Sequence, residues 1–254
     1  MSLELPLYLR LGPVMVHPHW LFEALAYIVG ARLYAVLKRR SGDPLAAEQR
    51  WSIVVAAFVG AAVGGKIVYW LSEPALTIEH ALDPAYLLGG KSIVGGLVGA
   101  IVAVEWTKRR LGIATPTGDV FVVPLAVGIG IGRIGCFLSG LDDHTHGLPA
   151  NLPWAFDYGD GIPRHPAQIY EILFVWTLAP LLFWISERPH QEGDLFRLFV
   201  VAYLGFRLCL EFLKPGVSYG PLNIIQWVSL AGLVYYVRQL VPLPARLPEG
   251  AASG

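Results

Sequence analysis

GIGIGRIGCFLSG, residues 128–140, is an apolar and glycine-rich stretch with a permanently charged arginine, Arg133, near its middle. The chain of 254 residues shares the apolar character, since 55% of its residues are hydrophobic and only 15% are charged. This balance is typical of membrane proteins rather than of soluble domains. We therefore predict an all-α integral membrane protein, in which Arg133 lies within a transmembrane helix and marks a functional site.

Seven apolar segments along the chain are close to the length of about 20 residues that spans a bilayer as a helix. They cover residues 19–38, 51–71, 90–107, 118–140, 166–186, 194–213 and 222–240. No clear internal repeat or low-complexity linker divides the chain, so we expect a single transmembrane domain over residues 1–254.

Lysine and arginine residues in the short connections predict how these segments are oriented, because basic loops remain in the cytoplasm. Lys38, Arg39 and Arg40 follow the first segment, and the sequence KRR at residues 108–110 follows the third. The connections that alternate with these two are acidic or neutral. Seven segments then place the N-terminus outside and the C-terminus in the cytoplasm.

The composition also indicates which ligands to exclude. The formal net charge is zero, so the overall balance does not suggest a nucleic-acid partner. The two cysteines, Cys136 and Cys209, lie in apolar segments and do not indicate a disulfide framework. The glycines before Arg133 are not a dinucleotide fingerprint, since no strand precedes them. We therefore expect no cofactor, and we assign no metal ligand.

Charged side chains within the predicted helices are concentrated near their outer ends. The main members of this group are Lys66, Lys91, Arg133, Glu171, Arg207 and Glu211. A charge within the membrane costs about 2.5–3.5 kcal/mol on insertion scales, so such residues usually face a polar interior or a functional cavity. Arg207 and Glu211 could instead form an i,i+4 pair that only holds helices together. Because a guanidinium can bond two phosphate oxygens at once, we expect the cationic members to bind an anionic phospholipid headgroup.

Five segments combine glycines and polar residues in a distinctive way. They are GGKIVYW (64–70), DPAYLLGGKSIVGGLVGAI (83–101), GDVFVVPLAVGIGIGRIGCFLSG (118–140), PRHPAQIYE (163–171) and FRLCLEF (206–212). In these segments the chain resembles the prolipoprotein diacylglyceryl transferase family. The resemblance covers about residues 18–235 and implies a seven-helix fold with an external N-terminus. It also implies an enzyme of the bacterial cytoplasmic (inner) membrane, which moves a diacylglyceryl group from phosphatidylglycerol to a lipobox cysteine thiol in a lipoprotein precursor.

The resemblance assigns roles to particular side chains. Arg133 matches the signature arginine of the family, Arg207 matches the essential arginine of the sixth helix, and Glu211 matches the acidic residue four positions later. We expect these residues to be catalytic, with the arginines stabilising the phosphate as it departs. The residues that we expect to bind substrate are Lys66, Lys91, Ser92, Gly95, Gly96, Cys136, Ser139, His165, Gln168, Tyr170 and Glu171.

Several positions depart from the family pattern. Val94 stands where the family has a histidine, and Leu141 where it has a glutamate. Cys136 and Ser139 stand in place of two asparagines, and Lys66 replaces an arginine. The missing histidine was a candidate base for the incoming nucleophile. Two alternatives therefore remain, which are the same fold and lipid donor with a different acceptor, or a non-catalytic phospholipid-binding membrane protein.

The stretch LDDHTHG, directly after the arginine signature, offers a replacement for the base. His144 and His146 lie close to Asp142 and Asp143, and an Asp–His pair can orient an imidazole for proton transfer. The same residues could bind a metal, or they could form a solvated loop without a catalytic role. Two weaker candidates for the base lie at the outer end of the first segment, His17 and His19.

The loop that follows, residues 148–166, is rich in proline, glycine and aromatic residues. Its side chains Trp154, Phe156 and Tyr158 suit the membrane interface. The loop could cover the mouth of a substrate cavity and contact the acceptor, or it could be an inert interfacial loop.

Overall fold

The computed structural model describes residues 5–11, 14–41 and 45–240, and most of these residues are helical. The α-helices in this part of the chain are α1 (Pro18–Ser41), α2 (Ala47–Ser72), α3 (Pro74–Glu79), α4 (Pro84–Leu88), α5 (Ile93–Leu111), α6 (Val122–Leu138), α7 (Ala167–Ser186), α8 (Asp194–Leu210) and α9 (Ile224–Leu240). Three short antiparallel hairpins pair β1 (Leu9–Leu11) with β2 (Val14–Val16), β3 (Phe156–Asp157) with β4 (Pro163–Arg164), and β5 (Ser218–Tyr219) with β6 (Leu222–Asn223).

Each predicted membrane segment overlaps one long helix of the described chain, namely α1, α2 or one of α5 to α9. Four helical stretches are long and apolar enough to cross a membrane by length and composition, and they are Pro18–Arg40, Ala47–Ser72, Asp119–Leu138 and Ala167–Ser186. The stretch Ile224–Arg238 is apolar but shorter. α8 has only 17 residues, and α5 carries charges at Glu105 and at residues 108–110, so neither meets the same standard. The structure therefore agrees with an all-α membrane protein that has several apolar helices.

The connection between α2 and α5 contains two short helices. The short helices α3 and α4 each begin with a proline, a residue that suits the first helical position. α5 begins at Ile93 rather than at residue 90, because Gly90 has a φ of +55° that a helix cannot contain. Ser92 then caps α5, its hydroxyl accepting a hydrogen bond from Gly95 N at 3.2 Å.

The apolar core lies among α5 to α9. Its fully buried members include Val94, Val122, Val175, Leu182, Phe199 and Leu204. Lipid chains are as apolar as these side chains, so close packing contributes more to helix association here than removal from water does.

Glycines allow α2 and α5 to pack with their backbones in contact. A methyl group on Gly64 of α2 would lie 2.4 Å from Gly95 O of α5, and one on Gly60 would lie 2.4 Å from Gly99 O. In the stretch around Arg133, a methyl group on Gly130 would collide with the indole of Trp176 on α7. These glycines therefore serve helix packing, as the small-residue pattern predicts.

The substitution Gly64→Ala is expected to destabilise the protein, because the added methyl group must push α2 and α5 apart. Overpacking of this kind costs about 1–3 kcal/mol. Gly205→Ala on α8 is a matched control, since no atom lies within 4 Å of its added methyl group. Thermal unfolding in detergent micelles should show a lower midpoint for Gly64→Ala and no decrease for Gly205→Ala. Equal midpoints for the two variants would contradict this account of the α2–α5 contact.

Antiparallel packing brings the polar ends of five helices to one level. Near the end of α6, a methyl group on Gly135 would lie 3.2 Å from Pro18 O at the start of α1. The start of α7 meets the end of α8 through Glu171 and Arg207. Asn223, directly before α9, contacts Glu211 after α8. We call this level, where α1, α7 and α9 start and α6 and α8 end, the charged end.

Candidate functional site

Glu171, near the start of α7, is the centre of a buried group of charged side chains. Arg133 Nε lies 2.7 Å from Glu171 Oε2. Arg207 Nη1 lies 3.0 Å from the same oxygen and 3.2 Å from Oε1. The hydroxyl of Tyr203 donates a hydrogen bond to Oε1 at 2.6 Å. One carboxylate therefore joins guanidinium groups from two different helices, α6 and α8.

Arg207 also pairs with a second carboxylate, that of Glu211. The i,i+4 pair predicted from the sequence is therefore present, but Arg207 binds Glu171 on a separate helix as well. Glu211 Oε1 lies 3.8 Å from Lys214 Nζ. Burial lowers the pKa of Lys214 below its usual value, and the nearby Glu211 carboxylate opposes this only in part.

With Lys214 protonated, the group carries a net positive charge of one. Its three cations are Arg133, Arg207 and Lys214, and its two anions are Glu171 and Glu211. Arg207 Nε is buried and has no hydrogen-bond partner among the described residues. Such an unpaired donor costs about 1–3 kcal/mol, so an anionic oxygen that reached it would be bound favourably.

A second polar group begins at Cys136, one turn after Arg133 on α6. Arg133 Nη1 lies 3.6 Å from Cys136 Sγ, and His19 Nδ1 of α1 lies 4.0 Å from the same sulfur. His19 Nδ1 also lies 2.7 Å from Oδ1 of Asp143, in the 3-10 turn after α6. The packing of α1 against α6 thus brings an imidazole, a thiol and a carboxylate together beside Arg133.

Asp143 is held from two sides. Its Oδ1 faces His19, and its Oδ2 accepts a hydrogen bond from Thr145 Oγ1 at 2.8 Å. Burial raises the pKa of the Asp143 carboxyl, but the hydrogen bond and charge of His19, together with the other hydrogen bonds, outweigh it and lower the pKa below its usual value. Asp143 is therefore an anion at neutral pH.

Gln168 connects this turn to α7. Its Nε2 donates to Thr145 Oγ1 at 3.0 Å, and its Oε1 accepts from the buried hydroxyl of Tyr158 at 2.8 Å. Gln168 is 1% exposed. The contacts of this predicted substrate-binding residue therefore support the turn that carries Asp143.

An apolar cavity of about 660 Å³ lies between α7 and the loop at residues 148–166. Its lining includes Phe137, Leu152, Trp154, Phe156, Tyr170 and Leu173. At its polar edge, the Tyr170 hydroxyl accepts a hydrogen bond from Trp154 Nε1 at 2.8 Å and lies 3.1 Å from His165 Nδ1. Arg133 and Arg207 do not line this cavity. The loop thus forms one wall of a cavity whose volume suits a small molecule or one chain of a lipid.

Four of the predicted substrate-binding residues lie instead in the contact between α2 and α5. Lys66 Nζ donates to three successive carbonyl groups of the turn before α5, including that of Gly90 at 2.9 Å. Ser92 caps α5, and Gly95 and Gly96 lie against α2. Among the described residues, no side-chain contact joins these positions to Arg133 or Arg207. Their observed role is to hold two helices together.

Lys91 and Ser139 lie nearer to the polar groups. Lys91 forms an ion pair with Oε1 of Glu23 on α1, and Glu23 Oε2 lies 3.6 Å from His19 Nε2. Lys91 therefore belongs to the surroundings of His19. Ser139 is fully buried, and its hydroxyl donates to Gly135 O at 2.8 Å within its own helix.

The Asp–His pair forms with a different histidine from those proposed in the loop. His144 is exposed, and its side chain has no hydrogen-bond or ion-pair partner in the described part of the chain. His146 Nδ1 lies 3.1 Å from Gly147 O, and its ring packs near Tyr158. Asp143 pairs with His19 because the start of α1 reaches the turn after α6. These contacts give no support to the catalytic role predicted for His144 and His146.

Tyr203 was missing from the predicted set, and His19 was considered only as a weaker candidate for the base. Tyr203 lies four residues before Arg207 on the same face of α8, so the helical period was an available signal for it. His19 and Cys136 are separated by 117 positions, and no local pattern predicts their contact. Val94, which stands where the family has a histidine, is fully buried in the apolar core.

Comparison with known proteins agrees with the motifs and the site. The family model described as prolipoprotein diacylglyceryl transferase matches residues 6–241. A protein of Bordetella avium named phosphatidylglycerol–prolipoprotein diacylglyceryl transferase is 34% identical, over 91% of this chain and 93% of its own length. A protein with the same name from Bordetella parapertussis is 35% identical, over 89% of this chain and 90% of its own length. Another from Methylococcus capsulatus is 33% identical, over 90% of this chain and 89% of its own length. The chain belongs to the prolipoprotein diacylglyceryl transferase family.

Proposed function

We propose that the protein is a transferase that moves the diacylglyceryl group of phosphatidylglycerol to the cysteine thiol of a lipoprotein precursor. The names of the relatives state this donor and this acceptor, which supports the reaction. The structural observation that carries the proposal is the buried group around Glu171, where guanidinium groups from two helices meet with a net positive charge. No nucleic acid is involved, and membrane lipids are the surroundings in which the donor is met.

The reaction creates negative charge where the arginines lie. The acceptor thiol loses its proton, its sulfur forms a bond to the glyceryl carbon, and the bond from that carbon to the phosphate oxygen breaks. Glycerol phosphate leaves with the electron pair, so its oxygen gains charge in the transition state. We assign to Arg133 and Arg207 the stabilisation of this charge, and Arg207 Nε is a buried donor still available for an oxygen. Glu171 would fix the orientation of both guanidinium groups.

The apolar cavity beside α7 suits the lipid part of the donor. Its lining is almost entirely apolar, and Phe137 in that lining is adjacent in sequence to Cys136. We place one acyl chain of phosphatidylglycerol there, with His165 and Tyr170 at the polar edge. Glu211 would balance the charge of Arg207 while the phosphate is absent.

We further propose seven transmembrane helices in the bacterial inner membrane, with the N-terminus outside. Lys38, Arg39 and Arg40 end α1, and α5 ends with the basic residues 108–110. A methyl group on Gly30 of α1 would lie 3.7 Å from Pro124 O near the start of α6, so the basic end of α1 lies on the side opposite the charged end. Basic ends favour the cytoplasm, so the charged end would lie towards the outer face.

The reaction can be tested with purified protein, phosphatidylglycerol labelled in its terminal glycerol, and a peptide that contains a lipobox cysteine. We expect release of labelled glycerol phosphate together with a diacylglyceryl-modified peptide, detected by mass spectrometry. A peptide with serine in place of the cysteine is the control and should remain unmodified. Glycerol phosphate released without peptide modification would mean a different acceptor. Bound lipid without any release would overturn the transferase assignment.

A further inference from the structure

Three donor atoms of different chemistry converge between α1 and the end of α6. They are His19 Nδ1, Cys136 Sγ and Asp143 Oδ1, and one ligand atom from each residue lies within 4.8 Å of the other two. Cys136 is buried, whereas the side chains of His19 and Asp143 are 27% and 11% exposed. The group is therefore largely enclosed but open on one side.

The spacing of these atoms fits a tetrahedral metal ion. Zinc binds nitrogen and oxygen at about 2.0–2.2 Å and sulfur at about 2.3 Å, so its ligands lie roughly 3.3–3.6 Å apart. Here His19 Nδ1 is 2.7 Å from Asp143 Oδ1 and 4.0 Å from Cys136 Sγ. Shifts of about half an ångström in side-chain position would bring both distances to the required values.

The other nitrogen of His19 faces a carboxylate, as metal-binding histidines usually require. His19 Nε2 lies 3.6 Å from Glu23 Oε2, which is buried and has no hydrogen-bond partner among the described residues. Lys91 holds the second oxygen of Glu23. A small shift from 3.6 Å would let Glu23 Oε2 accept a hydrogen bond from Nε2–H, and that tautomer leaves the lone pair of Nδ1 free for a metal ion.

The carboxylate of Asp143 has a comparable support. Thr145 Oγ1 donates to Oδ2, Gln168 Nε2 donates to Thr145, and Tyr158 donates to Gln168. This chain of hydrogen bonds leaves Oδ1 directed at His19. Two of the three donors therefore have the outer contacts that orient ligands in metal sites.

We propose that His19, Cys136 and Asp143 bind a zinc ion. A mixed set of imidazole, thiolate and carboxylate ligands suits zinc among the common biological metals. With zinc, one thiolate and one carboxylate balance the charge of the ion. Arg133, whose Nη1 lies 3.6 Å from Cys136 Sγ, is paired with Glu171, a carboxylate that it shares with Arg207. Three protein ligands leave the fourth position open, which is the arrangement of catalytic rather than structural zinc sites.

The role of the ion rests on the proposed transferase function. Bound at the open position, the acceptor thiol would release its proton to solvent and be held as a thiolate, because a coordinating thiol is deprotonated. Its sulfur then forms the bond to the glyceryl carbon, and glycerol phosphate leaves with the electron pair of the broken carbon–oxygen bond. Arg133 Nη1 lies 3.6 Å from Cys136 Sγ, so the phosphate and the nucleophile would be held side by side. The zinc ion would thus take over the activation of the acceptor thiol. In the family, the histidine at the position of Val94 is a candidate for that role.

The site can be tested by metal analysis of the full-length protein in detergent. The protein is stripped with a chelator, exposed to zinc or cobalt(II), and freed of unbound metal. We expect about one zinc per chain, and for cobalt a near-ultraviolet sulfur-to-metal band. Cys136→Ser should lose the band, and Cys136→Ser and Asp143→Asn should each bind zinc at least about tenfold more weakly. The controls Cys209→Ser and Asp142→Asn should bind as the wild type does. Thermal unfolding of each metal-free variant establishes that it is folded.

The outcomes separate the site from the reaction. If the wild-type protein bound no more zinc than Cys136→Ser, or showed no sulfur-to-cobalt band, the metal site would be refuted whatever the lipidation assay gave. Stoichiometric zinc that depends on Cys136 and Asp143, in a protein that modifies no lipobox peptide, would support the site and contradict the proposed reaction. Full transfer activity of the zinc-free protein would exclude the role of the ion in activating the acceptor.

Discussion

Replacement of Arg207 or Arg133 by alanine is expected to abolish diacylglyceryl transfer. Each guanidinium is assigned to the departing phosphate, and loss of one such donor typically reduces turnover by about 100- to 1000-fold. The two effects should not add, because both side chains are fixed by the same carboxylate of Glu171. The measurement is initial-rate release of labelled glycerol phosphate in the peptide assay.

The alanine variants need a control for folding, since they leave buried carboxylates without a cation. Arg207→Lys keeps the charge but loses the planar fork, so it should fold and still transfer poorly. Arg197→Ala is the matched control on the same helix, where the ion pair of Arg197 within the described part of the chain is with Asp194, three residues earlier. It should retain activity close to that of the wild type. A folded Arg207→Ala protein with full activity would show that Arg207 does not stabilise the phosphate.

Glu171→Gln is expected to cause the largest loss of stability of any single substitution at the charged end. The carboxylate faces Arg133, Arg207 and the hydroxyl of Tyr203 at distances of 2.6–3.2 Å. Its removal leaves two buried guanidinium groups without their shared anion, and breaking a buried ion pair costs about 3–5 kcal/mol. We expect a lower thermal midpoint in detergent together with loss of transfer, because the arginines lose their fixed orientation.

A second substitution distinguishes the charge effect from general damage to α7. Arg207 keeps Glu211 as a partner in Glu171→Gln, whereas the ion pair of Arg133 among the described residues is with Glu171. Adding Arg133→Met to Glu171→Gln therefore removes an uncompensated cation, so it should recover part of the lost stability while activity stays absent. Glu187→Gln, at the exposed end of the same helix, should change neither property. A Glu171→Gln protein as stable as the wild type would mean that the buried ion pairs contribute nothing to folding.

The predicted zinc ligands illustrate what a linear pattern leaves open. Asp143 was recognised as a partner for an imidazole, but the histidines beside it in the chain were favoured over His19. His144 and His146 follow Asp143 by one and three positions, so their proximity is visible in the sequence. His19 reaches Asp143 only because α1 packs antiparallel to α6. In the same way, no local pattern shows that Gly95 and Gly96, which are predicted to bind substrate, lie against α2.

The sequence by itself determined the all-α membrane class, the approximate position of each long helix, and the polar residues near the helix ends. These properties follow from hydropathy, charge and the helical period, which are local and can be counted along the chain. Only the tertiary structure decided that Glu171 lies between Arg133 and Arg207, and that His19, Cys136 and Asp143 meet beside them. Such contacts depend on which helices are neighbours, and that order is set by glycine-to-backbone packing between segments far apart in sequence.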